Sequence, residues 1–515
     1  MEIYSFSPFG YEGALVSVEV DLRRGIPAVD VVGLADGAVK EARERMQAAI
    51  RNSGFEFPSE RVLISLSPAD MKKEGAGFDL PLALAVLAAS NGESAGSAVL
   101  IMGELELSGH VRSVKGIHAA CSTAASCGIT RCIVPKANAD EAREVSGMFV
   151  YGAENLSDAF EALKNPAYFS AGSSDTNLSG IPKNAECIDG VYFLPVIEGF
   201  EFSEVRGQDK LIRALQIAAA GGHNLLAVGA PGCGKTMSIQ KLPALLPLLS
   251  KDEAQSTTRI WSLAGLLSPS ESLIRTPPFR MPHQTSSLEG IAGGGPNCRP
   301  GEISLAHNGV LFLDEAAEFR TSVLQTLRVP LENGHITLSR AGRSTVYPAD
   351  FQLVMAANPC PCGNYGSETK ICLCSATAID HYWKKFSSPL LDRIDLRVKV
   401  ENESDKGLMI ENSERTTHQL RIPVARAIAT QRKRQGCRNA KLTPEQISQF
   451  CEVSKEVRLI LDRAMMRYDF SSRAAAGCLK IARTIADMEG AEEIRPEHME
   501  EAVEFRRVYS SFGEE

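Results

Sequence analysis

Residues 229–236, Gly229-Ala230-Pro231-Gly232-Cys233-Gly234-Lys235-Thr236, constrain this chain more than any other stretch. An apolar run at 225–228 precedes them and reads as a buried strand, and an apolar-periodic helix is predicted from about Met237. Strand, glycine loop and helix in that order are the setting in which G-x-x-x-x-G-K-T binds phosphate. Glycines let backbone N–H groups curl round a phosphate without Cβ clashes, and the helix N-terminus adds positive potential. Lys235 is then placed to reach the outer phosphates and the Thr236 hydroxyl to ligate Mg²⁺. The stretch predicts an α/β domain that binds ATP or GTP.

The chain of 515 residues has room for roughly three domains of ~150 residues each. Its net charge of −8 means that any DNA contact needs a local basic surface. The N-terminus lacks the basic start and apolar core of a signal peptide. The longest apolar stretch, 80–89, is too short to span a bilayer, so no membrane contact is expected. Thirteen cysteines, an odd number without a signal peptide, point to a reducing, cytoplasmic compartment.

Residues 1–170 read as a domain of their own. Strand-like runs at 14–20, 28–32, 62–66, 98–102 and 132–134 alternate with helical stretches at 38–52 and 80–90. Residues 171–199 are small, polar and Gly/Pro-punctuated and read as a linker. The nucleotide-binding domain is expected over 200–400 and a helix-rich region over 401–515.

Two more strand ends carry chemistry. The apolar run from Gly309 delivers Asp314 and Glu315 to its C-terminal end, where open α/β sheets keep their ligands. Asp314 is placed to hold Mg²⁺, and Glu315 to orient or deprotonate the attacking water. The run from Phe351 ends in Asn358, either a contact to the γ-phosphate or the water, or a turn residue before Pro359.

Resemblances extend this reading. Gly207 and Gln208, ahead of a helix predicted over 210–220, resemble the segment that flanks the adenine in AAA+ ATPases. Pro389 to Asp395 resembles the arginine-finger segment of AAA+ helicases, which implies that Arg393 reaches the γ-phosphate of a neighbouring subunit. The alternative for Arg393 is an ion pair with Asp392 or Asp395. Arg473 resembles the sensor 2 arginine, with action in cis or in trans left open. In the first domain, the segments 72–81, 104–111, 127–129 and 133–138 resemble the proteolytic domain of Lon-type proteases, an S5 domain 2-type α+β fold. That family's catalytic serine is missing from Glu74-Gly75-Ala76-Gly77, and His118 stands where its lysine is expected. Both members of such a dyad are needed, so the domain reads as non-proteolytic. Ser65, Ser67 and Lys73 lie nearby by chance placement or as a shifted dyad.

From Phe279 to Asp395 the chain closely resembles the magnesium chelatase-like AAA+ ATPases of the YifB/ComM family. The stretch includes Met281-Pro282-His283, Gly293-Gly294-Gly295, Arg299-Pro300-Gly301 and a predicted hairpin around 341–343. Departures are Gln284 where a second His is usual, Ala316-Ala317 where Leu-Pro is usual, and Cys233 where Thr or Ser is usual. With the first domain and the helix around 482–487 the resemblance covers nearly the whole chain. It implies an AAA+ P-loop domain with a helical lid, ATP and Mg²⁺ as ligands, and a homo-hexameric ring. For competence-associated members it implies a DNA helicase driving branch migration on single-stranded or branched DNA during natural transformation. Arg340 and Arg343 on the hairpin would then grip phosphates; the other reading is that they are solvated hairpin charges.

Cys360, Cys362, Cys372 and Cys374 form two C-x-C pairs on one excursion after Asn358. Four thiolates suit tetrahedral Zn²⁺, although C-x₂-C is the commoner spacing, and reduced structural thiols are the alternative. The acid-free basic stretch 421–441 reads either as a DNA-facing surface or as a solvated face of the lid. The rival functions are a metal-insertion motor of the magnesium chelatase type, a motor acting on a protein client, and an ATP-dependent protease. The missing dyad weighs against the last.

Overall fold

The computed structural model of the chain describes residues 2–33, 37–69, 73, 76–92, 97–172, 181–268, 271–340, 343–366, 370–401 and 415–507. Residues 72, 74 and 75 of the glycine-rich stretch and residues 341–342 of the hairpin lie outside them. The N-terminal half is built on an eight-stranded mixed sheet. Its strands run, edge to edge, Ser170–Ala171, Phe149–Ala153, Arg131–Pro135, Val99–Ile101, Ile3–Ser7, Ala14–Arg23, Arg61–Ser67 and Val29–Val32. The longest apolar stretch becomes the helix Asp79–Ser90, buried from Asp79 to Ala88, which explains an apolar run with no polar face. No helix among the described residues is long and apolar enough to cross a membrane. Asp79 at the start of that helix is fully buried and accepts two hydrogen bonds from Arg45, at 2.7 and 2.9 Å. A buried carboxylate needs that pairing.

The second half contains five parallel strands in the order Phe279–Arg280, Val310–Leu313, Gln352–Ala357, Leu225–Gly229, Leu396–Val400. The three inner strands are buried on both faces, as continuous apolar runs in a helix-covered parallel sheet must be. After Leu225–Gly229 the chain crosses to the far edge and works back, so Leu225–Gly229 ends at a switch point of the topology, where such sheets bind ligands.

The C-terminal helices Thr417–Arg434, Pro444–Phe450, Lys455–Tyr468, Ser472–Glu489 and Pro496–Arg506 share one apolar core with this sheet and with the helix Asp209–Gly221. The basic stretch is solvated only in part: Arg426, Arg432, Lys433 and Lys441 are exposed, while Arg421, Arg434 and Arg438 are engaged within the fold. Arg421 is buried, donates to Ala244 O, Glu186 and Leu194 O, and stacks over Phe193. Arg434 forks onto Asp487, Arg438 donates to Ala219 O, and Lys441 pairs with Asp350. Arg421, Arg438 and Lys441 thus tie the C-terminal helices to the rest of the half, and Arg434 joins two of those helices to each other. Within 171–199, Glu186–Ile188 and Val191–Phe193 form a hairpin whose Val191 and Phe193 enter that core. That part of the stretch is a packed element, because Arg421 gives it a partner to fold against.

The two halves meet along the helix Lys251–Ala264, which a reciprocal cap between Ser250 and Glu253 starts. Its Gln255 donates to Glu144 O (3.1 Å), Arg259 to Tyr11 O (3.2 Å) and Ser262 to the Glu141 carboxylate (2.5 Å). The same carboxylate accepts the His118 N–H (2.9 Å).

Candidate active site

The glycine loop closes at the C-terminal end of the strand Leu225–Gly229. Gly232 and Gly234 take φ of 83° and 84°, the left-handed region that glycine enters freely. Gly229 runs so close to the last strand that a Cβ there would stand 2.3 Å from Val400 O. Gln208, itself at φ 60°, donates to Cys233 O (3.1 Å) and to Glu401 O (3.0 Å), tying the segment before the first helix to both loop and sheet. Gly207 adjoins it, also left-handed at φ 62°.

Three adjacent strand ends bring four side chains together. Lys235 Nζ is held by Gly229 O at 2.6 Å and Ala230 O at 2.8 Å, and lies 3.4 Å from Asn358 Oδ1. Thr236 Oγ1 donates to Asp314, 3.0 Å from Oδ2. Asn358 is thus drawn to the loop lysine rather than serving as a turn residue alone. A hydroxyl and a carboxylate at this separation are the hard oxygen pair that suits Mg²⁺. Glu315 departs from helix and strand geometry alike. Its φ is 48°, a region costly for a residue with a side chain and found at functional sites. The turn leaves the Asp314 carboxylate to Thr236 and to the backbone N–H of Glu315, and sends the Glu315 carboxylate into solvent.

Arg393 and Arg473 do not bond any residue of the 229–236 loop among the described residues. Both converge on Glu332, which follows in the helix Arg328–Asn333. Arg393 Nη2 pairs with it, and Arg473 Nη2 donates to its other oxygen at 2.7 Å. Glu332 is consequently held below the usual carboxylate range by Arg473 and then by Arg393. Neither Asp392 nor Asp395 takes Arg393; Asp395 is occupied by His223 and Arg506. Glu332 is the site residue that sequence reasoning missed. A glutamate on a short helix gives no signal until the fold brings two arginines to it.

The four cysteines come together. Sγ–Sγ separations are 3.4 Å for Cys360–Cys362, 3.7 Å for Cys360–Cys372 and 3.6 Å for Cys362–Cys372, and all four sulfurs lie within 4.8 Å of one another. Zinc–sulfur bonds of about 2.3 Å in a tetrahedron require sulfurs about 3.8 Å apart, so the donor set fits Zn²⁺. The Cys362 thiol is pulled down to about 6 by the Asn364 N–H and then by Cys360, which favours a thiolate at neutral pH. Purified protein is expected to carry one zinc per chain, and Cys362→Ser to lose it. Elemental analysis well below one zinc in the parent protein would instead leave a set of reduced thiols.

The hairpin has the expected form: His335–Arg340 pairs antiparallel with Arg343–Pro348, and Arg340 stands opposite Arg343 at its end. Arg340 is half exposed and 3.7 Å from Glu289. In the first domain His118 is buried, its Nε2 without a partner among the described residues, and burial followed by the Arg259 charge pushes its pKa down to about 3. It is a poor replacement for a catalytic lysine.

Models of known families match three stretches of the chain. "Magnesium chelatase, subunit ChlI" matches residues 201–408, "Subunit ChlI of Mg-chelatase" 18–138, and "Magnesium chelatase, subunit ChlI C-terminal" 414–506. An uncharacterized protein, YifB of Escherichia coli (strain K12), is 38% identical over 98% of this chain and 97% of its own length. Competence protein ComM of Haemophilus influenzae is 37% identical over 98% of this chain and 97% of its own length. The chain belongs to the YifB/ComM family of magnesium chelatase-like ATPases. Similarity to the magnesium-chelatase 38 kDa subunit of Rhodobacter capsulatus is narrower, 28% over 31% of this chain. Because a chelatase-described model also matches 18–138, the first domain does not by itself separate the YifB/ComM proteins from chelatase motors.

Proposed function

We propose that the chain is the subunit of a hexameric ATP-driven DNA translocase that promotes branch migration during natural transformation or recombination. The observation that carries the reading is the pairing of Arg340 with Arg343 at the end of a hairpin, in a chain similar over its whole length to a competence protein. Two arginines at paired register positions suit a phosphate backbone, a contact that reads no sequence.

In this reading Lys235 and the loop N–H groups bind the ATP phosphates, Asn358 orients the γ-phosphate end, and Glu315 takes the proton of the attacking water. Thr236 and Asp314 would hold Mg²⁺, which supplies charge neutralisation on the transferring phosphate. Arg393 and Arg473, gathered on Glu332, serve the nucleotide of the neighbouring subunit, so Arg473 acts in trans. The first domain is a non-proteolytic relative of the Lon proteolytic fold.

ATP hydrolysis is expected to rise strongly on forked or four-way-junction DNA. Arg343→Glu is expected to keep hydrolysis and lose unwinding; unwinding retained by this variant would refute the hairpin's role. The descriptions of the matching models favour a second reading, a motor acting in metal insertion or on a protein client. Hydrolysis indifferent to every DNA tested would favour it.

A further inference from the structure

The loop of residues 8–13, between the first two strands of the N-terminal sheet, leaves its own domain. Gly10 N donates to Asn297 O (3.4 Å) and Tyr11 N to Thr345 Oγ1 (3.0 Å). The Tyr11 ring meets the buried Tyr347 edge-on, with centroids 5.8 Å apart. On the other side, Arg259 lies over the Tyr11 ring at 4.6 Å and donates to Tyr11 O, Glu12 O and Thr123 Oγ1. Phe9 and Tyr11 pack against the apolar cluster that contains Ile291, Cys298, Leu338 and Tyr347. Gly10 sits at φ +60°, and a Cβ there would fall 2.1 to 2.6 Å from the Thr345 side chain, so the contact is moulded around glycine.

Besides Arg259 of the helix Lys251–Ala264, these contacts reach two further elements of the second half. Asn297 lies between the paired short strands Gly293–Gly294 and Arg299–Pro300, and Thr345 and Tyr347 belong to the returning strand of the hairpin that carries Arg340 and Arg343. A two-stranded hairpin is marginal alone and takes its direction from what its inner face rests on. That face is Ile336, Leu338, Thr345 and Tyr347, alternating with exposed Thr337, Ser339, Ser344 and Val346. Thr345 places a hydroxyl on the buried side, and the N-terminal domain supplies the N–H that satisfies it.

We infer that the loop of residues 8–13 is a positioning element of the hairpin, with Tyr11 and Gly10 holding it from the N-terminal domain at a fixed angle. The inference rests on the DNA reading for its functional consequence, but not for the mechanical coupling. Tyr11 touches no nucleotide-site residue; it acts through Thr345 and Tyr347. The N-terminal domain is then a brace for the DNA-gripping element, which gives a domain without a protease dyad a role in translocation.

The test uses the full chain, with hydrogen exchange read over 288–301 and 335–348 in the absence of DNA, beside basal and DNA-stimulated ATPase. Tyr11→Ala is expected to speed exchange in both segments by about tenfold, while the strands under the glycine loop stay protected. Basal hydrolysis should stay within about twofold and the stimulation by DNA should be lost. Tyr11→Phe should restore all three. Thr345→Val, which removes the acceptor without touching the N-terminal domain, should loosen the hairpin alone. Unchanged exchange over 335–348 in both Tyr11→Ala and Thr345→Val overturns the inference, as does a uniform loss of protection with no excess in the two segments. A loosened hairpin in a protein whose parent form ignores DNA supports the inference and removes the DNA reading.

Discussion

Glu315→Gln is expected to lower ATP turnover by about 10²–10⁴-fold, the scale of a lost general base, while nucleotide affinity stays near that of the parent protein. The turn at Glu315 is what separates the two acids. In a continuing strand, successive side chains point to opposite faces; the positive φ of 48° aims the Glu315 carboxylate out of the sheet edge, leaving Asp314 against Thr236. Its carboxylate makes no hydrogen bond among the described residues, so the amide disturbs no existing contact. Glutamine keeps the length and one acceptor oxygen but cannot take a proton at neutral pH. Lys235→Ala should behave differently and lose binding, since the ammonium is the loop's fixed positive charge. Turnover and equilibrium binding of a fluorescent ATP analogue check this together. Turnover within about threefold of the parent would take Glu315 out of the chemistry.

How much of this could be read beforehand follows from how local each signal is. Leu225–Gly229, Val310–Leu313 and Gln352–Ala357 are short apolar runs with a polar residue at the end, so each announces both strand and site residue within a few positions. The strand Ile3–Ser7 announces neither. It lies in the middle of the eight-stranded sheet, yet Ser5 and Ser7 are buried there, and a polar alternation reads as an edge or a loop. The stretch 421–441 is legible only in part, for the opposite reason. Four of its seven cations are exposed as a solvated run would be, yet Arg421, Arg434 and Lys441 find Glu186, Asp487 and Asp350 from far along the chain. Phase and composition cannot show a partner that only the tertiary fold supplies. The cysteine cluster stands between these cases, since its four thiols were visible but their convergence was not. Nor was the seat of their loop, where Gly363 fits so tightly that a Cβ would come within 2.5 Å of Pro231 in the phosphate loop.

Arg393→Ala is expected to cut hydrolysis by about 10³–10⁵-fold, the range of a lost arginine finger, with ATP binding preserved. Arg393 is mostly buried, paired with Glu332, and that same carboxylate holds Arg473, so two guanidinium groups face one acid. One acid leaves a net positive charge at this face, and none of the three residues bonds the chain's own glycine loop. A positive cluster with no phosphate of its own to serve suits the γ-phosphate of a neighbouring subunit, which arrives only on assembly. Arg473→Ala should cost less, because the residue is half exposed and Arg393 remains. The decisive measurement mixes two dead variants. In a ring containing both Arg393→Ala and Lys235→Ala chains, some interfaces join the intact loop of the first to the intact arginine of the second. Hydrolysis should reappear in the mixture although each variant alone has none. A mixture as inactive as its parts, with co-assembly verified by mass, would mean that Arg393 serves its own chain or only the local fold. The pairing with Glu332 would then be structural, and the site would have to be complete within one subunit.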